Sequence, residues 1–160
     1  MMDDLPGVRA LLGASVVFQH LAPAAIDAIL AQARIVQARP GELLLTEGTP
    51  GDGLYVVLEG EVEVFLPQAA ASGGRRPTPV RLNRLGPGRC FGEYGIVDDE
   101  PSSASVAART PARLCFVPRL ELRRLLEHND GIARVVYGNL LRFLVGRLRR
   151  KDQDVDLFFS

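Results

Sequence analysis

A strand–turn–strand pattern runs through Leu54-Tyr55-Val56-Val57-Leu58-Glu59-Gly60-Glu61-Val62-Glu63-Val64-Phe65. Its first part is continuously apolar, and Glu59-Gly60 is typical of a tight turn. The second part alternates strictly, so Val62 and Val64 share one face while the glutamates beside them face water. The pattern predicts two β-strands joined by a glycine turn.

Short segments of the same kind lie on both sides of this pair. This pattern of short alternating segments separated by glycine turns is typical of a β-sandwich or barrel. Between two of the segments, residues 67–79 combine Pro, Gly and Ala, so we expect a solvated loop there, with Arg75 and Arg76 in water rather than on a partner. The further predicted strands cover residues 34–38, 42–46, 80–85, 104–108 and 112–117.

Helical patterns flank the strands, and we expect the whole chain to form one domain. Pro6 and Pro23 suit the first turns of two N-terminal helices. Pro118 starts an amphipathic helix, and Asn129-Asp130-Gly131 separates it from a final helix, predicted from about Ile132 to Lys151. An acidic and aromatic tail is expected either to dock on its own domain or to enter a partner's groove. The expected parts are a helical lead-in (1–33), a β-barrel (34–117), C-terminal helices (118–151) and the tail (152–160).

Composition limits the classes of function. The 160 residues are 47% hydrophobic, enough for one sizeable core. With 19 basic and 19 acidic residues the net charge is zero, so no global field draws the protein to nucleic acid or an anionic membrane. No run approaches the ~18 apolar residues of a membrane span, and no signal segment opens the chain. We therefore expect a cytoplasmic protein without membrane contact.

The residue types that carry catalysis or bind metals are scattered. Cys90 and Cys115 lack metal-ligand spacing and are predicted to be buried free thiols in a reducing compartment. His20 and His128 belong to no nucleophile or metal motif. The three adjacent carboxylates of 98–100 cannot all turn to one ion, so a wet loop is the better interpretation. We expect no enzyme activity, no catalytic residue and no metal site.

The stretch that bears chemistry is 89–106. Gly92 lets the backbone turn tightly, Glu93 follows at once, and an apolar segment leads into the acidic loop before Ser102 and Ser103 open a new strand. This pattern favours a cradle for a small polar ligand. Phosphate capture in such a place relies on free backbone N–H groups, usually helped by a cation, and the expected cation is missing here.

The ordered glycine motifs resemble the cyclic nucleotide-binding domain superfamily, the effector domain of catabolite activator protein, protein kinase A regulatory subunits and cyclic nucleotide-gated channels. The resemblance runs from about Phe18 to Leu148. It implies a mainly β fold, an antiparallel jelly-roll-like β-barrel with helices at both ends, and a phosphate-binding cassette over 91–106. The matching motifs are Pro40-Gly41-Glu42, Glu47-Gly48, Gly51-Asp52, 54–64, Gly86-Pro87-Gly88 and Phe91-Gly92-Glu93.

The resemblance also implies a ligand site. The residue matching Glu93 accepts a hydrogen bond from the ribose 2′-hydroxyl, and backbone N–H groups near Gly92 and Tyr94 serve the ligand. The alternative is that Glu93 is structural and caps N–H groups of its own cassette helix. The implied ligand-binding residues are Phe91, Gly92, Glu93, Tyr94, Gly95, Ser102, Ser103 and Ala104.

The chain departs from the family at the position that clamps the cyclic phosphate. Members carry an Arg directly after the cassette's proline, and this chain has Ser102 there. A charge-assisted hydrogen bond is worth roughly 1.5–3 kcal/mol, so its loss should weaken binding by about tenfold to more than a hundredfold. The acidic run 98–100 should repel phosphate further. Arg89 is the first candidate to compensate, with Arg81 and Arg109 as others.

Two hypotheses of function follow. In the first, the protein is a non-enzymatic regulatory sensor that binds cAMP, cGMP or a cyclic dinucleotide, needs no cofactor and signals to a partner protein through its C-terminal helices. In the second, it is a degenerate effector domain that binds no nucleotide and acts as a scaffold. The apolar stripe of Ile132–Leu148 is either core or a homodimer seam. Too little chain follows for a helix-turn-helix, so we expect a stand-alone domain without a DNA-binding part.

Overall fold

The computed structural model describes residues 4–68 and 76–159, with side chains as far as Asp154. This part of the chain contains eight strands, four α-helices and one short 3₁₀ turn. The helices are α1 (Leu5–Ala14), α2 (Pro23–Leu30), α3 (Arg119–Glu127) and α4 (Asp130–Phe159), and the 3₁₀ turn is Glu93–Ile96. The strands are β1 (Arg34–Ala38), β2 (Leu43–Leu45), β3 (Gly53–Glu59), β4 (Val62–Leu66), β5 (Val80–Leu85), β6 (Cys90–Phe91), β7 (Ser105–Ala108) and β8 (Ala112–Pro118).

The strands form two four-stranded antiparallel sheets. Their orders are β1-β8-β3-β6 and β2-β7-β4-β5. The prediction of a mainly β, antiparallel jelly-roll-like fold with flanking helices is confirmed, although the two sheets are not closed into a barrel. Closure requires edge strands that pair along their length. In the described residues β6 and β2, at the edges of the two sheets, are only two and three residues long, and no ladder joins one sheet to the other.

Strand β3 explains why the apolar run of 54–58 is continuous. Leu54, Val56 and Leu58 pack into a cluster with the helices, whereas Tyr55 and Val57 pack between the sheets. Successive side chains of a strand point to opposite faces, and here both faces are covered. The strand therefore divides the core into a helical half and a sheet half.

The helices are tied together by a buried amide as well as by apolar packing. Asn139 on α4 is 1% exposed. Its Nδ2 donates to the carbonyl oxygens of Val17 at 2.9 Å and Gln19 at 2.8 Å, and its Oδ1 accepts from Arg142 at 3.0 Å. A buried polar group requires such partners. The bonds hold α4 against the segment that follows α1.

Helix α4 differs from its prediction at both ends. Asn129 Oδ1 accepts from the Ile132 backbone N–H at 3.3 Å, so the predicted breaker caps a helix that starts at Asp130. The predicted end at Lys151 is wrong, because the helix continues to Phe159. No Pro or Gly follows Gly146, and opposite charges recur at helical spacing. How the tail's apolar side chains pack lies outside the described residues. None of the helices described is long and apolar enough to cross a membrane.

Candidate functional site

The cassette starts where β6 leaves the sheet. Gly92 has φ +83°, and a Cβ there would lie 2.3 Å from the carbonyl oxygen of Gly53. Only glycine fits this combination of left-handed backbone and close approach. Phe91, just before it, stacks on Tyr55 with ring centroids 4.8 Å apart. Together these contacts fix the backbone from which Glu93 projects.

Glu93 is a buried carboxylate, 7% exposed, at the start of the 3₁₀ turn. Burial raises its pKa, while its own backbone N–H and the charge of Arg147 act in the opposite direction. Within the described residues its ion-pair partner is Arg147, whose Nη1 lies 3.9 Å from Oε1. This contact is too long to replace the hydration that burial removes. The carboxylate is therefore suited to accept a hydrogen bond from a ligand hydroxyl, and its contact with its own N–H keeps the structural alternative open.

Arg147 links α4 to the cassette. Its Nη1 donates to the Tyr94 hydroxyl at 2.6 Å, and its guanidinium lies 5.7 Å from the ring centroids of Tyr94 and Phe143. The Arg147 side chain is 51% exposed, so it can move without disturbing the core. In the sequence, Arg147 is identified only by its place on the predicted final helix. Its nearness to Glu93 had no local signal, because the two residues meet only when α4 packs on the sheet.

The two ends of the cassette converge on the start of β3. Gly92 touches Gly53, and a Cβ at Gly51 would lie 3.6 Å from Ser102 Oγ. Ser102 is also held by its backbone, which donates to the Thr49 carbonyl and accepts from the Gly48 N–H, both at 2.9 Å. Of the residues that follow, Ser103 is exposed and Ala104 half-buried. Gly92 and Ser102, at the two ends of the cassette, therefore both lie near the start of β3.

The acidic loop is partly neutralised from α3. Arg123 Nη1 donates to the Asp99 carboxylate at 2.7 Å, and Arg119 Nη1 lies 3.6 Å from the same oxygen. Arg123 Nη2 also donates to the carbonyl oxygens of Gly95 at 3.1 Å and Asp98 at 2.7 Å. The expected repulsion of phosphate by three unpaired carboxylates therefore needs correction, because Asp99 has two cationic partners.

Two of the arginines expected to compensate for Ser102 are tied elsewhere. Arg81 pairs with Glu63, and Arg109 Nε lies 3.0 Å from the Glu61 carboxylate. Arg89 is exposed just before β6, and its role in phosphate binding stays a prediction.

Arg76 is not simply solvated, because it pairs with Glu47 at 2.7 Å, while Arg75 lies outside the described residues. The Glu47 N–H in turn donates to Ser105 Oγ at 2.9 Å. Ser105 pairs with Phe65 in the sheet, and their neighbours Val106 and Val64 face the core. The Arg76–Glu47 pair therefore covers the outer face of the sheet.

The cysteines and histidines form no further site. Cys90 and Cys115 both lie opposite Val56, on the two sides of β3, so their strands are about 9–10 Å apart, too far for a disulfide. Both are free, and burial raises the pKa of Cys90 to about 12 and that of Cys115 to about 11. His20 is exposed, and His128 Nδ1 lies 2.8 Å from the Arg124 carbonyl. The described residues include no cluster of His, Cys, Asp or Glu that could hold a metal ion.

A groove of about 830 Å³ lies away from the cassette. It runs beside the turns at the other end of β1, β3 and β8, where Arg39, Pro40, Glu59 and Arg113 line it. Arg113 and Glu59 form an ion pair at 2.6 Å across two strands, which satisfies both groups. The groove contains none of the predicted ligand-binding residues and carries no functional assignment.

Comparison with known proteins agrees with this geometry. The model of the cyclic nucleotide-binding domain matches residues 35–129. The CRP-like cAMP-activated global transcriptional regulator of Mycobacterium tuberculosis is 33% identical over 154 residues, which are 94% of this chain and 63% of that protein. A cAMP-dependent protein kinase regulatory subunit of Eremothecium gossypii is 25% identical over 140 residues, 88% of this chain and 28% of that protein.

The solved structures give the same result. The catabolite activator protein of Thermus thermophilus superposes with a TM-score of 0.73 at 30% identity, over 90% of this chain and 63% of that one. The chain spans less than two thirds of the length of the transcriptional regulators it matches. The family model covers the cassette and the residues that anchor both of its ends, and with the fold and the relatives it shows that this chain belongs to the cyclic nucleotide-binding domain family.

Proposed function

We propose that this domain is a non-enzymatic regulatory sensor that binds a cyclic nucleotide in the cradle between the cassette and α4. The observation that carries the proposal is the buried Glu93 carboxylate at the start of the cassette. A ligand hydroxyl that donates to this carboxylate would offset the desolvation that raises its pKa. The relatives' names, a cAMP-activated regulator and a cAMP-dependent kinase regulatory subunit, support cAMP or cGMP as the ligand class.

The remaining cassette residues have complementary roles in this proposal. Phe91 and Gly92 hold the backbone in place, and the backbone N–H groups of Tyr94 and Gly95 face the ligand. Ser102, Ser103 and Ala104 close the other side of the cradle. Ser103 supports this role because it is exposed and carries a hydroxyl that can donate to a phosphate oxygen.

Arg147 is the residue that we assign to the phosphate. Its guanidinium is already at the cassette, is half-exposed, and has a fork geometry that suits phosphate oxygens. A ligand hydroxyl on Glu93 would compete with Arg147 for that carboxylate. The freed guanidinium would then turn to the ligand. Arg89 remains the second candidate for the phosphate contact.

Signalling in this proposal passes through α4. Because Arg147 contacts the cassette, a ligand that changes this contact also changes the set of positions available to the helix, a population shift. The face of α4 that is exposed carries apolar side chains at spacings of four, four and three residues, typical of a helix-pairing seam. We propose that a second copy of the chain pairs there. The residues are Tyr137 (45% exposed), Leu141 (65%), Val145 (39%) and Leu148 (60%).

A specific observation favours the second hypothesis, a scaffold that binds no nucleotide. Ser102 supplies no cation, and its backbone N–H and carbonyl are both engaged by the 48–49 turn. Such a domain would keep the barrel-like framework and the α4 surface while Glu93 served only its own turn. The two free thiols, Cys115 buried and Cys90 half-buried, support action in a reducing, cytoplasmic compartment under either hypothesis.

Calorimetric titration with cAMP, cGMP and cyclic di-GMP separates the two hypotheses. We expect micromolar or tighter binding of at least one nucleotide, and a loss of tenfold or more in Glu93→Ala, because a hydrogen bond to a charged group is worth roughly 1.5–3 kcal/mol. Glu127→Ala, an exposed carboxylate on α3, is the matched control. No heat with any of the three nucleotides would leave the scaffold hypothesis.

A further inference from the structure

We infer that Arg123 on α3 is a positioning residue that holds the middle of the cassette loop in its ligand-competent shape. Three groups of the loop accept hydrogen bonds from this one guanidinium. They are the carbonyl oxygens of Gly95 and Asp98 and the Asp99 carboxylate, at 3.1, 2.7 and 2.7 Å. The Arg123 side chain is 24% exposed, so these bonds are partly shielded from water.

The local backbone explains why the loop needs this residue. The 3₁₀ turn ends at Ile96, and the N–H groups of Val97 and Asp98 both donate to the Tyr94 carbonyl. The carbonyl groups of the last turn of a helix lack intrahelical donors. Arg123 donates to one such carbonyl, at Gly95, and to the carbonyl of Asp98 just beyond the turn. It therefore acts as a side-chain cap provided by another helix.

Helix α3 is firmly placed, so it can fix the loop. The Arg119 N–H donates to the Asp52 carbonyl at 2.9 Å, which ties the start of α3 to the segment before β3. Leu122 and Leu126 are 1% and 2% exposed in the helical half of the core. Arg119 also lies 3.6 Å from Asp99 and thus reinforces the same loop.

The cassette is therefore held at three points. Phe91 and Gly92 anchor its start on β3, the 48–49 turn anchors Ser102 at its end, and Arg123 anchors the part between them. Any ligand that requires this loop shape is coupled to the position of α3, and the coupling is reciprocal. The coupling between ligand binding and α3 rests on the proposed function, whereas the positioning of the loop does not.

Hydrogen exchange of the unliganded protein tests the positioning step by itself. In Arg123→Gln we expect the amides of Val97 and Asp98 to exchange about tenfold faster, because the turn loses its charged donor. Asp99→Asn keeps the two carbonyl contacts and should show a smaller increase. Arg124→Gln, an exposed neighbour on α3, is the matched control. Amides of β3 should keep the wild-type rate, which separates a local effect from general loss of stability.

Arg123→Lys tests whether the guanidinium fork is required. A lysine places its donors at one point and cannot reach all three acceptors, so we expect partial recovery of slow exchange. Wild-type exchange at Val97 and Asp98 in Arg123→Gln would overturn the inference. If Arg123→Gln fails to fold, the exchange rates of the Val97 and Asp98 amides are measured in Asp99→Asn and Arg123→Lys instead. Wild-type rates in both of these variants would overturn the inference.

Nucleotide titration of the same variants tests the coupling step. We expect Arg123→Gln to bind cAMP or cGMP about tenfold more weakly than wild type, with Arg123→Lys in between and Arg124→Gln unchanged. Unchanged affinity in Arg123→Gln would overturn the coupling step. If the wild type binds no nucleotide, the proposed function fails, while the exchange result still decides the positioning of the loop.

Discussion

Arg147 on α4 donates a hydrogen bond to the Tyr94 hydroxyl at 2.6 Å, across 53 positions of the sequence. Tyr94 follows Glu93 directly, so the same guanidinium lies at the carboxylate that we assign to the ligand. The Arg147 side chain therefore connects the cassette directly to the last helix. Its half-exposed position makes it the simplest place at which a ligand could change the packing of α4.

Arg147→Gln should weaken cyclic nucleotide binding by tenfold or more if its guanidinium takes the phosphate, since a charge-assisted hydrogen bond contributes roughly 1.5–3 kcal/mol. Calorimetric titration measures the change. Arg89→Gln tests the other candidate with the same chemistry, and Arg142→Gln, also on α4, is the control for helix charge. Tighter binding in Arg147→Gln would instead show that Arg147 only competes with the ligand for Glu93.

Glu93→Gln should make the protein more stable at pH 7 while it weakens ligand binding, because the neutral amide accepts a weaker hydrogen bond. Burial raises the pKa of Glu93 above its ordinary 4.5, so the folded state binds more protons than the unfolded chain just above that pH. Stability therefore falls as the pH rises through this window, and the variant should lack this fall. Urea unfolding at a series of pH values, with Glu127→Gln as control, measures how the free energy of unfolding depends on pH. Parallel curves for wild type and variant would contradict the prediction.

Ser102→Arg should restore the cation that the family uses at this position. We expect nucleotide affinity to rise by about tenfold or more, because the side chain leaves the backbone contacts with the 48–49 turn intact. Ser103→Arg adds the same charge one residue later, at an exposed position, and controls for general attraction of phosphate. Equal gains in the two variants would show that position 102 has no specific role.

Gly92→Ala should destabilise the fold by at least about 2 kcal/mol, since it combines a left-handed residue with a backbone clash. The added Cβ would lie 2.3 Å from the Gly53 carbonyl oxygen. Gly86→Ala is the matched control, because nothing lies within 4 Å of its Cβ position. It should change stability by less than about 0.5 kcal/mol. Similar urea midpoints for the two variants would show that the cassette backbone adapts.

Leu141→Glu should convert an α4-paired dimer to a monomer, because it places a charge in the middle of the apolar stripe. Leu141 is 65% exposed, and Leu120 on α3, at 60%, offers a control of equal exposure away from the seam. Sedimentation velocity of wild type, Leu141→Glu and Leu120→Glu measures whether each protein is a monomer or a dimer. A wild type that stays monomeric at high micromolar concentration would exclude pairing through this face.

The local patterns predicted most elements of the fold. The strands at 34–38 and 80–85 have the predicted bounds, and Val62 lies in the core while Glu61 beside it faces outward. These features follow from alternation and from turn residues, which act over a few positions. Strand β6 was missed because two residues carry no periodicity. The end of α4 lies beyond its predicted position because no Pro or Gly follows Gly146 and opposite charges recur at helical spacing.

The sequence alone was enough for most of the strands and turns and for the tight turn at Gly92, because each depends on near neighbours or on an ordered set of motifs. It could not determine whether the sheets close, which arginine meets Glu93, or that Arg123 caps the cassette loop. Those contacts join residues far apart in the chain. They depend on how α3 and α4 pack against β3, and an arginine has the same local pattern whether it reaches a carboxylate or water.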